Sequence, residues 1–161
     1  MNHEPAHNPA RPILAQRSWG FPTASMCKPL LIRTPVAWTG GFHNSTAPVA
    51  FDRLFLFHLA FFDCETTLRR QQKRRAQNSI DDRTAPHHRL NDETIRSWME
   101  GWSGMPQDQS ITLTASCPAT ADFIADVLKS ASRDAHGMYH IDLDLHRSSL
   151  WRIPDRFSGS F

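Results

Sequence analysis

Lysine is scarce in this 161-residue chain: only Lys28, Lys73 and Lys129 occur, so arginine carries nearly all of the positive charge. A planar guanidinium suits bidentate contact with carboxylate or phosphate, although a GC-rich coding sequence explains the same bias. The formal net charge is only +2, too small for the whole-chain field to name a partner. Cysteine is also sparse. Cys27, Cys64 and Cys117 stand far apart, odd in number and with no CxxC pair, which argues against a disulfide scaffold or a cysteine zinc site and for a reducing, intracellular compartment. Long hydrophobic runs are missing as well. The longest, residues 49–62, is broken by Asp52, Arg53 and His58 and falls short of the about 20 residues that cross a bilayer. No basic stretch followed by an apolar run opens the chain, so a secretory signal is not expected. Tyr139 is the single tyrosine, and no aromatic platform for nucleic-acid bases is evident. No internal repeat occurs, and no cofactor is expected.

Proline, by contrast, is frequent at the start. Positions 5, 9, 12, 22, 29, 35 and 48 are too closely spaced for a helix, because each lacks an amide donor and constrains its predecessor. Residues 1–48 therefore read as mostly extended and disordered, with Leu30, Leu31 and Ile32 as one short strand and Trp19, Phe21 and Trp38 as docking points. Residues 51–78 read as one long helix within a 49–79 segment, since Phe51, Leu54, Phe55, His58, Leu59 and Phe62 recur at helical spacing with no Pro or Gly between. Its first half is apolar nearly all round; its second carries the basic cluster Arg69, Arg70, Lys73, Arg74 and Arg75. A break follows at 79–88, around Asp81, Asp82 and Pro86.

Beyond the break the patterning is cleaner. Asn91 is a good N-cap, Asp92 and Glu93 complement the positive end of the helix dipole, and Ile95, Trp98, Met99 and Trp102 form one apolar face, so a short helix is predicted that stops near Gly101 and Gly104. Residues 111–115 alternate as a strand. Ser116 or Thr120 can cap a helix bearing Phe123, Ile124, Val127, Leu128 and Ala131, with Gly137 as its stop. Residues 139–147 then read as the most regular strand, with Tyr139, Ile141, Leu143 and Leu145 on one side and His140, Asp142, Asp144 and His146 on the other. These elements predict an α+β fold: a small sheet from 111–115 and 139–147 with amphipathic helices packed on one face, in a partial domain spanning 88–156.

The histidine and aspartate face suggests a metal site, but a strand rises about 3.3 Å per residue and would hold His140 and His146 roughly 20 Å apart. No metal site is therefore assigned. The basic cluster is read either as a solubilising helix end, as a nuclear-import signal, as a helix that contacts phosphate, or, given its apolar neighbour, as a membrane-surface helix.

One segment resembles a known family. Arg89-Leu90-Asn91-Asp92-Glu93-Thr94-Ile95, followed by the helix with Trp98, is similar to the W-L-N-D-E-x-I segment that opens the catalytic domain of the SUMO and ubiquitin-like-protein proteases, which are papain-like cysteine peptidases. The resemblance implies that Asn91, Asp92 and Trp98 lie along a groove for the tail of a ubiquitin-like protein. It also implies that His146, at the family's spacing, is the catalytic histidine, with Asp155 able to orient it. The chain departs from the family at Arg89 and Arg147, where tryptophans are the pattern. Cys27, Cys64 and Cys117 all precede His146, and none lies in a Q-x-x-x-D-C-G context. With neither thiolate nor oxyanion donor after His146, the expected identity is a truncated, catalytically incomplete relative, inactive as a peptidase. A small regulatory or interaction protein with a nuclear-import or nucleic-acid-contacting helix is the second expectation, and a reading frame without selected function the third.

Overall fold

The computed structural model describes residues 7–27, 35–39, 44–48, 50, 56–76 and 90–157. The chain divides into two compact units. One comprises Met1–Ser18, His58–Pro106 and Asp155–Phe161; the other comprises Trp19–Phe57 and Gln107–Pro154. The division at Pro106 falls inside the stretch 88–156 that the sequence suggests as one domain.

The first unit is built on two helices, α1 (Cys64–Arg75) and α2 (Asp92–Ser103). The long helix expected over 51–78 is shorter at its start. Residues 51–55, 77 and 78 lie outside the described ones, and residues 56–63 hold only a single 3-10 turn, Leu59–Phe61. The cause is local. Asp63 adopts extended backbone (φ −148°, ψ 134°) and its carboxylate accepts a hydrogen bond from the Thr66 amide at 2.8 Å, so the helix begins one residue later. Burial pushes the Asp63 carboxyl up, but the hydrogen bonds from Thr66 and the charges of His7 and Arg17 outweigh it and hold the group below its ordinary range. Leu68, Ile95 and Met99 form the buried core of this unit, with Phe61, Cys64, Leu90 and Trp102 packed against it.

The helices run antiparallel, as their end contacts require: Arg75 donates to the Leu90 carbonyl and the Asp92 carboxylate at one end, and Phe61 meets Trp98 and Trp102 at the other. The N-terminal segment also takes part. Buried Gln16 accepts from the Asn8 amide at 2.7 Å and donates to the Asn8 and Arg11 carbonyls, each at 2.9 Å, while buried Arg17 donates to the Phe62 carbonyl at 3.0 Å. A stretch read from its prolines as loose is thus tied down by side chains that satisfy its backbone.

The second unit carries a three-stranded sheet in the order β1 (Trp19–Gly20), β5 (Leu150–Arg152), β2 (Gln107–Thr112), with β1 antiparallel and β2 parallel to the central β5. Helix α3 (Pro118–Lys129) meets it through Phe123, set edge-on to Trp151 at 6.2 Å between ring centroids. Leu150 and Trp151 point to opposite faces of β5, yet both are only 2% exposed, so the central strand is covered on both sides. A second core joins Ala24, Val127 and Ile141, with Cys27, Phe123, Leu143 and Leu145 around it. The α+β class is the one the sequence suggests; the strands that realise it differ.

The expected strand 111–115 lies earlier, at β2. The expected strand 139–147 keeps only β4 (Tyr139–His140), which forms an antiparallel hairpin with β3 (Ser132–Arg133). Beyond it, the Asp142 carboxylate accepts the Asp144 amide at 2.9 Å and its carbonyl accepts the Leu145 amide at 3.4 Å, closing a turn where a ladder was expected. Gly137 does not stop α3, which ends at Lys129. With φ of +81° it sits in the hairpin turn instead. The residue in the cap position of α3 is Cys117, whose side chain makes no capping bond; Pro118 follows as the first helical residue. The Leu30 to Ile32 strand and the break at 79–88 lie outside the described residues. Among the described residues, no helix is long and apolar enough to cross a membrane.

Candidate functional site

The residues singled out by sequence separate into the two units. Asn91, Asp92, Trp98 and the basic cluster belong to the helical unit, together with Asp155; His146 belongs to the sheet unit.

In the helical unit, Asn91 starts α2 as expected: its side-chain oxygen accepts from the Thr94 amide at 2.7 Å. Asp92 is engaged by α1. The Arg75 guanidinium bonds it directly and Gln72 donates to it at 3.3 Å, and the Arg75 hydrogen bond holds the Asp92 carboxyl below the usual range. Arg75 is therefore committed within the fold. The other four cations are not. Thr67, Leu68 and Gln71 form the buried side of α1, while Arg69 and Lys73 are exposed and Arg70 and Arg74 half-buried. Among the described residues, no carboxylate forms an ion pair with any of these four. Partial burial chiefly, and the like charge of Arg70 one helical turn away in addition, lower the Arg74 pKa.

Ile95, Trp98, Met99 and Trp102, expected on one apolar face, differ in how far they are buried. Ile95 is fully buried and Met99 6% exposed, whereas Trp98 is 41% exposed, at the margin of the face. Its ring lies 6.2 Å from Phe61 at 66° and 6.2 Å from Trp102 at 45°. This three-ring cluster was missed in the sequence. The two tryptophans four residues apart were its visible signal, and Phe61 joins only because the chain enters α1 through a 3-10 turn.

In the sheet unit, His146 is exposed and stands in an isolated bridge to Thr23, away from any strand end. Its Nδ1 lies 2.7 Å from the Asp144 carbonyl and its ring 5.6 Å from Phe21. The carbonyl fixes a proton on Nδ1 of the neutral ring and leaves Nε2 as the acceptor, the form a general base needs. A thiolate for it to serve is not in evidence. Cys27, in the same unit, packs against the Ala24, Val127 and Ile141 core, and burial pushes its thiol up, opposite to what activates a nucleophile. The supposed metal face is also dispersed: His140 Nε2 pairs with Asp134 at 2.8 Å, and among the described residues no group of three His, Cys, Asp or Glu side chains could hold an ion. No protein-family model, curated protein or solved structure matches the chain.

Proposed function

We propose that the α1–α2 unit is a non-enzymatic docking module for a polyanion, with Arg69, Arg70, Lys73 and Arg74 contacting phosphates. The observation that carries this reading is the uncompensated charge on the outer side of α1: four cations within six positions, Arg70 and Arg74 one turn apart, and none with a carboxylate partner among the described residues. An anion laid along that side removes the repulsion and releases counterions, the general source of affinity for nucleic acid. Up to four phosphate contacts set a slope of log affinity against log salt of roughly −3 to −4. Fluorescence anisotropy with labelled nucleic acid across a salt series measures it. Replacing all four cations by Ala is expected to abolish binding and flatten the slope, and an unchanged affinity and slope in that variant removes the proposal. The same variant, tagged and expressed in cells, reports whether the cluster drives nuclear accumulation; an unaltered distribution eliminates that role.

A second reading is favoured by the Asn91 cap, which starts α2 where the protease-like motif places its first helix. In it the chain is a catalytically incomplete relative of the SUMO and ubiquitin-like-protein proteases that holds a ubiquitin-like protein along residues 90–102. No peptide hydrolysis is assigned: Cys27 packs on the core with a thiol that burial pushes up, and among the described residues neither it nor Cys117 hydrogen-bonds to His146. Titration with a SUMO-type protein, followed by amide chemical shifts, tests it: changes confined to α2 support the reading, and none at about millimolar concentration retires it.

A further inference from the structure

From the placement of Trp98 we infer that the polyanion is a single-stranded nucleic acid, with a base stacked on the Trp98 ring while its neighbouring phosphates meet Arg69, Arg70, Lys73 and Arg74. This rests on the polyanion reading and narrows it.

Three observations carry the inference. Trp98 is one of only three large apolar side chains that the described residues leave exposed, and it is the aromatic one. Its two ring neighbours, Phe61 and Trp102, meet it at 66° and 45°, so they fix the indole without lying parallel to it, and among the described residues no ring is stacked on it. The antiparallel contact then sets the distance. Leu68 of α1 packs with Ile95 and Met99, the residues that flank Trp98, so the indole is level with the middle of α1, where the cations begin. The cations extend from there by five residues at about 1.5 Å each, on an axis about 8–10 Å away. The separation to the far end of the cluster is on the order of 12 Å, within the footprint of about 4–16 nucleotides typical of single-strand binders. Duplex bases have both faces covered and offer nothing for the indole to stack on, whereas a single strand offers a π face with every phosphate. An acidic peptide would match the charge but not the flat ring.

Full-length protein is tested with three probes: a labelled 12-nucleotide oligo-U, a duplex of the same length, and inorganic polyphosphate. Oligo-U is expected to bind most tightly and to quench tryptophan fluorescence. Trp98→Ala is expected to weaken oligo-U by about 5- to 150-fold, the loss of one stacked base. Its polyphosphate affinity and salt slope should not move, and Trp98→Phe should recover most of the loss. Unaltered circular dichroism controls for folding. If the wild type binds polyphosphate and duplex as well as oligo-U, and Trp98→Ala changes nothing, the stacking inference fails while the polyanion reading stands. If the wild type binds none of the three, both fall. A poly-glutamate peptide serves as a fourth, competing probe: tighter binding of it than of oligo-U, lost in Trp98→Ala, would assign the surface to a protein partner and overturn the inference.

Discussion

The α1–α2 pair stands on Ile95, and truncating it is the most direct test of the helical unit. Ile95→Ala removes three heavy atoms from a fully buried side chain enclosed by Leu68 and Met99, with Phe61, Cys64, Leu90 and Trp102 around them. Substitutions of this kind cost about 2–5 kcal/mol, the sum of lost transfer energy and the cavity left behind. Met99 is flexible enough to fill part of the space, which favours the lower half of that range, about 3 kcal/mol. Against a total stability on the order of 5–15 kcal/mol this is a large fraction, and the urea midpoint should fall with no change in slope. Trp98 and Trp102 lie in the same cluster, so tryptophan fluorescence reports the transition. Arg96→Ala is the control: the residue is exposed on the same helix and should stay within about 0.5 kcal/mol of the wild type. A cost under about 1 kcal/mol for Ile95→Ala, indistinguishable from the control, would refute the packing of α1 on α2. A broad, non-cooperative transition in the wild type would do so as well and would favour a reading frame without selected function.

Three further outcomes follow from local features. Asn91→Ala leaves the Thr94 amide without its cap and should cost about 0.5–2 kcal/mol by urea unfolding, with Asn91→Asp restoring most of it. Gly137→Ala places a side chain at φ of +81°, 3.2 Å from an Arg133 guanidinium nitrogen, and should cost roughly 1–2 kcal/mol, with faster amide exchange at Met138 as the local readout. Asp134 accepts from His140 and from the His136 and Met138 amides, and the His140 hydrogen bond chiefly holds its carboxyl below the ordinary range. A depressed carboxyl contributes while it is ionised, so the β3–β4 hairpin should be protected at neutral pH and lose exchange protection as acidification passes through the lowered pKa. Asp134→Asn should abolish that pH dependence, and a hairpin equally protected in acid would contradict the assignment.

The candidate site was legible where the signal was local. The basic run and the Asn91 cap could be read directly, because both depend on residues within a turn of each other. The exposure of Trp98 was not, since at helical spacing it is indistinguishable from its buried neighbours Ile95 and Met99; it turns outward because α1 covers only part of the α2 surface. Nor was the start of α1. The apolar spacing of 51–62 carries a helix straight across Asp63, yet the structure gives the aromatics Phe61 and Phe62 partners off the helix axis, in Trp102 and His7.

By itself, the sequence determined part of the core. Ile141, Leu143 and Leu145 do pack on the core, as their alternation with charged residues indicates, and Val127 and Ile95 face inward on their helices. Tertiary structure alone decided where the backbone groups of those residues bond. Alternation requires only that every second side chain turn inward, a condition met by the Asp142 turn as well as by a strand. The sheet assembled instead from β1, β2 and β5, pieces of two to six residues, too short to carry a period, whose amide partners lie far along the chain. Burial is a property of each residue, whereas strand pairing belongs to two segments at once, and only the folded chain brings them together.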